Sequence, residues 1–150
     1  MTVGIILAAG RGKRMGYLTS QKPKCYLKIK NKTLLDHIID NFEENDIKKK
    51  YVITGYKQKI FKSKKIIKIH NKNWKNTNML YSLNCADKIL KSNNTIVVYS
   101  DIYFSKKIIK KLIKFKSNNL TIPFYKNWKK LWNKRFKNPL EDLESFRLSK

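Results

Sequence analysis

The sequence predicts a three-layer α/β fold built on a mostly parallel sheet, and three observations carry that reading. Short β-rich runs alternate along the chain with runs of helical periodicity, the pattern that places helices on both faces of a parallel sheet. The first apolar run, Val3 to Ala8, opens straight into small and basic residues, LAAGRGKRM over 7–15. A later apolar run, Thr95 to Tyr99, leads directly to Ser100 and Asp101. Ligands of such sheets sit outside the carboxyl ends of the strands, so the glycine loop and Asp101 are expected on one rim.

Each element follows from its own pattern. Val3 to Ala8 reads as a buried strand, Cys25 to Ile29 as a short extended piece and Asn31-Lys32 as a turn. Thr33 caps a helix whose Leu34, Leu35, Ile38, Ile39 and Phe42 form one apolar stripe. Tyr51 to Thr54 is the next strand, ended by Gly55. Ile66 to Ile69 is another, with flanking lysines that suit a sheet edge. A polar loop, 71–77, leads to a helix over 78–91 with Met79, Leu80, Leu83, Ala86 and Leu90 on one side. Ser105 caps a third helix with Ile108, Ile109, Leu112, Ile113 and Phe115 inward, and Leu120 to Tyr125 reads as a further strand. From Asn127 onward the periodicity is irregular, with Trp128, Trp132, an acidic cluster of Glu141, Asp142 and Glu144, and a strand-like end over Ser145 to Ser149. The chain is expected to be one domain, with a nucleotide-binding part over 1–125 and an acceptor-side tail over 126–150.

Composition narrows the function. With 150 residues, 41% of them apolar, the chain can bury a real core. The net charge of +25 invites nucleic-acid binding, but the basic residues are nearly all lysine and occur in every segment beside abundant Ile and Asn. AT-rich coding would produce that mixture, so a solvated surface is expected rather than a polynucleotide site. The N-terminal apolar run is too short for a signal-peptide core, and no stretch approaches the roughly 18 apolar residues of a membrane span, so a cytoplasmic protein is expected. Cys25 and Cys85 lack disulfide or zinc spacing and are expected to be reduced and structural. His37 and His70 likewise lack partners at ligand spacing.

The loop carries the chemistry. Ala8, Ala9, Gly10 and Gly12 have no bulky side chains, so the backbone can approach a polyphosphate and aim N–H groups at it, with Arg11, Lys13 and Arg14 available to balance charge. An ordinary tight turn would account for the glycines alone. Lys22-Pro23-Lys24 strengthens the phosphate reading, because proline stiffens the segment and a fixed lysine offsets charge developing during displacement at phosphorus.

LAAGRGKRM, followed by TSQKPK and YLKIKNKTLLDHIIDNF, resembles the N-terminal half of the nucleotidyltransferase superfamily that makes nucleotide-activated sugars and alcohols, the sugar-phosphate and MobA-like NTP transferases. NKNWKNTNMLYSL and NWKKLWNKRFKNPLEDLESF resemble its bacterial phosphocholine cytidylyltransferase-like branch. The resemblance covers essentially the whole chain. It implies the Rossmann-like nucleotide-diphospho-sugar transferase fold, incomplete at the C-terminus, since members typically continue well beyond this point. It also implies that Leu7, Ala8, Ala9, Gly10, Gly12 and Arg14 surround a triphosphate, with Arg14 and Lys24 catalytic and Lys24 on the transferring phosphate. Asn78 and Ser82 would approach base and ribose, and Asp101 would bind Mg²⁺. Asn78 as a helix cap, Ser82 as a packing residue in a turn of that helix and Asp101 as a strand-end cap remain the competing readings.

The implied reaction is transfer of a nucleotidyl group, cytidylyl from CTP above all, to a phosphorylated small molecule such as phosphocholine or a sugar phosphate, with release of pyrophosphate. Trp74, Tyr103, Tyr125, Trp128 and Trp132 are candidate aromatic faces for a quaternary ammonium acceptor. The alternative is a non-catalytic nucleotide- or polyanion-binding remnant, distinguished by its failure to release pyrophosphate.

Overall fold

The elements run β1 (Thr2–Ala8), β2 (Lys28–Ile29), β3 (Lys32–Thr33), α1 (Leu34–Glu43), β4 (Lys50–Thr54), β5 (Ile67–His70), α2 (Met79–Asn84), α3 (Asp87–Ser92), β6 (Asn94–Tyr99), α4 (Lys106–Lys114) and α5 (Trp128–Trp132). The computed structural model describes residues 1–115, 120–138 and 140. Two compact units make up the chain, Met1–Ser117 and Asn118–Lys150.

In the first unit β1 is the centre of a four-stranded sheet of order β5-β4-β1-β6. All three pairings are parallel, as the alternation of strand and helix predicts. Side chains of β1 and β4 alternate between two cores. Ile6 and Val52 face a layer that includes Leu35, Ile38, Ile39 and Phe42 of α1. Ile5 and Ile53 face the other side, where Ala86 and the partly buried Leu83, Ile89 and Leu90 pack. Three layers result because a strand buried on both faces needs a helix on each. Gly4 shows how close the layers are: a Cβ there would stand 2.6 Å from the Phe42 ring.

Local signals place the predicted caps correctly. The Thr33 hydroxyl oxygen accepts from the Asp36 N–H at 3.0 Å at the start of α1. Ser105 does the same for the Lys107 N–H at 3.3 Å at the start of α4. Lys50 is the one core-facing cation on β4, 5% exposed, and its ammonium donates to Glu43 Oε1 at 3.2 Å and to the Lys48 carbonyl at 3.2 Å. Glu43 also takes Lys65 at 2.9 Å, and the two lysines hold its carboxyl below the usual range.

Several expectations are corrected. The turn lies at Lys30-Asn31, one residue earlier than predicted, with φ of 49° and 66°, and joins β2 to β3. Cys25 begins no strand, because Lys24–Tyr26 is a 3₁₀ turn. The helix predicted over 78–91 is two helices. Ala86, at φ −103° and ψ 18°, redirects the chain and is itself pressed into the sheet at 2% exposure. Leu83, Ile89 and Leu90 therefore point inward, while Met79 and Leu80 are 48% and 69% exposed.

The inward face predicted for α4 reduces to Ile109, since α4 meets the core beside α1 and Ile108, Ile113 and Phe115 remain exposed. Leu120 to Tyr125 forms no β-ladder among the described residues, for Pro123 lacks the N–H a ladder needs. Glu141, Asp142, Glu144 and the strand-like end over Ser145 to Ser149 lie outside the described residues. In the second unit α5 sets Trp132 beside Phe136, with the Arg135 guanidinium 5.2 Å from each ring centre. Among the described residues no helix is long and apolar enough to cross a membrane.

Candidate active site

The sheet order reverses beside β1, which has β4 and then β5 on one side and β6 on the other. Loops leaving β1 and β6 diverge there and leave a crevice at the carboxyl ends of the strands. The open cavity at that point is lined by Leu7, Ala9, Gly10, Gly12, Lys24, Trp74, Thr77, Asn78, Met79, Ser82, Tyr99, Ser100 and Asp101.

The glycine loop is tied at both ends and free between them. The Ala9 carbonyl accepts from the Tyr56 N–H at 2.9 Å, and the Gly12 carbonyl accepts from the Met15 N–H and the Thr19 hydroxyl, each at 3.0 Å. No acceptor among the described residues takes the N–H groups of Gly10, Arg11 or Gly12. Gly12 needs to be glycine for the backbone itself, at φ 71°. Gly10 does not: a Cβ there would meet no protein atom within 4 Å, and its φ is not positive. Gly10→Ala is accordingly expected to leave the melting temperature unchanged and to lower nucleoside triphosphate affinity several-fold, measured by calorimetry. Unchanged affinity would reduce the loop to an ordinary turn.

Lys24 enters from the 3₁₀ turn after Pro23, whose ψ of 155° aims the chain into the crevice. Its ammonium stands 2.8 Å from Asp101 Oδ2, joining two residues that are 77 apart in sequence. Both side chains remain about one-third exposed, at 35% and 37%. Beside them Cys25 is fully buried, and burial pushes its thiol up to about 12, which keeps it protonated and unreactive.

A loop across the crevice supplies the opposite wall. Asn78 caps α2 through its side-chain oxygen, which accepts from the Tyr81 N–H at 3.0 Å. Because α2 is only six residues long, its N-terminal dipole adds little. Ser82 is 5% exposed and hydrogen-bonded to Asn71, itself 1% exposed. Trp74 packs against Tyr56 with ring centres 5.4 Å apart, and the Arg11 guanidinium lies 5.6 Å from the Tyr56 ring centre.

Of the residues singled out from sequence, Leu7, Ala9, Gly10, Gly12, Lys24, Asn78, Ser82 and Asp101 converge on the cavity. Ala8 instead turns into the core at 4% exposure. Arg14 sits exposed on the 3₁₀ turn Lys13–Thr19 and does not line the cavity. Among the candidate aromatics Trp74 is at the cavity, whereas Tyr103 packs edge-on against His37 at 5.0 Å. Sequence reading missed Tyr56, Asn71 and Thr77. Only the run of Asn and Thr over 71–78, unusually polar for a loop between buried elements, hinted at the last two.

The fold and this crevice define a nucleotidyltransferase architecture, that of the nucleotide-diphospho-sugar transferases. Residues 4–145 match the MobA-like NTP transferase domain, and the chain belongs to that family. Over 97% of its length it is 37% identical to the CTP:phosphoglutamine cytidylyltransferase of Campylobacter jejuni, and it spans 61% of that relative. The CTP:phosphocholine cytidylyltransferase of Streptococcus pneumoniae superposes with a TM-score of 0.63 and 30% identity, over 67% of this chain and 45% of that one. The inositol-1-phosphate CTP transferase of T. maritima shares the fold at a TM-score of 0.64 and 20% identity, over 79% of this chain and 50% of that one.

Proposed function

We propose that the chain transfers a cytidylyl group from CTP to the phosphate of a small phosphorylated acceptor and releases pyrophosphate. The observation that carries this reading is the meeting of Lys24 and Asp101 at 2.8 Å beside a loop with three backbone N–H groups that no acceptor among the described residues takes. A phosphate oxygen of the acceptor attacks the α-phosphorus of CTP, a P–O bond forms, and the bond to the β-phosphate oxygen breaks. Such a reaction asks mainly for positioning and charge neutralisation. The Gly10–Gly12 amides receive the departing phosphates, and Lys24 meets the charge that grows at the α-phosphate.

Mg²⁺ fits this donor set. The ion is held by one or two carboxylates together with substrate phosphates rather than by an all-protein cage. Asp101 offers one carboxylate at the cavity, and no cluster of three His, Cys, Asp or Glu side chains exists among the described residues. When bound, the ion neutralises phosphate charge. The names of the Campylobacter and pneumococcal relatives share CTP as donor and differ in the acceptor, which supports CTP and leaves the acceptor as a class: phosphocholine, a sugar phosphate or a similar molecule. Dependence on CTP would place the protein in the cytoplasm.

The test is pyrophosphate release from CTP with Mg²⁺ and a panel of phosphorylated acceptors. Tight CTP binding without release would leave a nucleotide-binding remnant. Asp101→Asn keeps the side-chain shape and removes the charge, so it is expected to raise the Mg²⁺ concentration needed for half-maximal release by about tenfold or more while the fold stays intact. An unaltered Mg²⁺ response would remove Asp101 from metal binding.

A further inference from the structure

We propose that Tyr56 is a positioning residue for nucleotidyl transfer: its hydroxyl sets the segment that delivers Lys24, and its ring braces the glycine loop against the Trp74 wall. The proposal rests on the reading that Lys24 meets the charge growing at the α-phosphate.

Tyr56 follows Gly55 just past the end of β4, and stretches far apart in sequence meet on it. Its side chain is 9% exposed, and its backbone N–H holds the Ala9 carbonyl at 2.9 Å. A phenol buried in this way needs a partner for its hydroxyl. Tyr56 finds one by donating to the Ser20 carbonyl. Ser20 ends the 3₁₀ turn Lys13–Thr19 and leads through Gln21, Lys22 and Pro23 to Lys24. The neighbouring Lys57 adds a weaker and exposed bond, from its ammonium to Gln21 Oε1 at 3.4 Å.

Beyond Lys24 the segment is held separately. Cys25 is fully buried, and the Tyr26 hydroxyl donates to the Ile60 carbonyl at 3.0 Å. Lys24 is therefore slung between two anchors, and the Tyr56 hydroxyl is the one before it. Loss of that anchor lets the ammonium move relative to the phosphate it serves. The glycine loop keeps its own ties, to the Tyr56 N–H at Ala9 and to the buried Thr19 hydroxyl at Gly12, so its amides stay in place. The hydroxyl thus acts on rate rather than on nucleotide binding.

The ring has a different task. It packs against Trp74 at 5.4 Å and carries the Arg11 guanidinium at 5.6 Å. Arg11 Nε is buried with no hydrogen-bond partner among the described residues, so the aromatic face is what supports this side chain of the loop. Losing the ring therefore loosens the loop and the Trp74 wall together.

Tyr56→Phe removes the hydroxyl and keeps the ring and the backbone N–H. Turnover is expected to fall by about tenfold, while the calorimetric Kd for CTP changes by less than about twofold and the melting temperature drops by a few degrees. Made in a Lys24→Ala background, the same substitution should alter the single-turnover rate by less than about twofold, because the group it positions is gone. A hydroxyl that only stabilised the fold would lower the melting temperature and leave the rate per folded molecule unchanged. Tyr56→Leu, which also removes the ring, is expected to add a several-fold loss of CTP affinity. Where Tyr56→Leu does not fold, Tyr56→Phe decides alone. Wild-type turnover in folded Tyr56→Phe, a rate loss as large without Lys24 as with it, or a loss of CTP affinity matching the loss of rate would overturn the role of the hydroxyl. Unchanged CTP affinity in folded Tyr56→Leu would overturn that of the ring. Each of these results leaves CTP transfer itself standing. Absence of pyrophosphate release by the wild type would instead overturn the transfer reading, and this proposal with it.

Discussion

Replacing Lys24 by alanine is expected to lower the rate of the proposed cytidylyl transfer by about 10²–10³-fold, the range for loss of one donor aimed at developing charge. The fold should survive. Lys24 is one-third exposed and its ion pair with Asp101 is open to solvent, so the pair contributes at most about 1 kcal/mol to stability. A melting temperature close to that of the wild type, together with near-abolished pyrophosphate release and a smaller change in KM for CTP, is the expected signature. Lys24→Arg keeps the charge but not the compact ammonium, and should restore only part of the rate. Undiminished turnover in folded Lys24→Ala would take the residue out of the mechanism.

The second large effect is expected from Gly55→Ala, a substitution far milder by its chemistry. A Cβ on Gly55 would stand 2.5 Å from the Trp74 Cβ and 2.6 Å from the Ala9 carbonyl oxygen. Neither neighbour is the free end of a flexible side chain. The Ala9 carbonyl is also the anchor of the glycine loop, held by the next N–H along, that of Tyr56. Relieving the collision must push the end of β4 away from the loop and shift Trp74 at the crevice wall. Overpacking of this kind costs about 1–3 kcal/mol, so the melting temperature should fall by roughly 3 to 10 °C. Affinity for nucleoside triphosphate should fall with it, by about tenfold or more, since the amides of Gly10 to Gly12 are carried by the displaced segment. Gly10→Ala is the internal control, because its Cβ meets no protein atom and any loss of affinity there comes without loss of stability. If Gly55→Ala keeps both stability and affinity, the close approach of β4, the loop and Trp74 does not govern the site.

Most features set by local pattern follow from the sequence alone, though the Lys30-Asn31 turn and the 3₁₀ turn at Lys24–Tyr26 do not. The apolar stripe and Thr33 cap of α1, the buried strands β1 and β4 and the small-residue loop after β1 were legible, because each depends on neighbours within a few residues. The candidates at the ends of β1 and β6 were legible for a related reason: a parallel sheet puts the carboxyl ends of its strands on one rim, so Gly10, Gly12 and Asp101 had to share it. Patterns that need a distant partner were misread. The helix over 78–91 had an acceptable stripe, yet Ala86 had to turn it toward Ile5 and Ile53. Leu120 to Tyr125 has strand composition but joins no ladder among the described residues.

Only the tertiary structure decided which side chains complete the site. Tyr56 holds the loop through its backbone N–H, a group every residue but proline possesses, so no residue type could announce it. Gly55 looks like any strand-ending glycine until Trp74 and the Ala9 carbonyl close over it. Asn71, Thr77 and Ser82 are ordinary polar residues in a list. They meet only because folding buries Asn71 and sets its amide against Thr77, Ser82 and the Asn73 N–H.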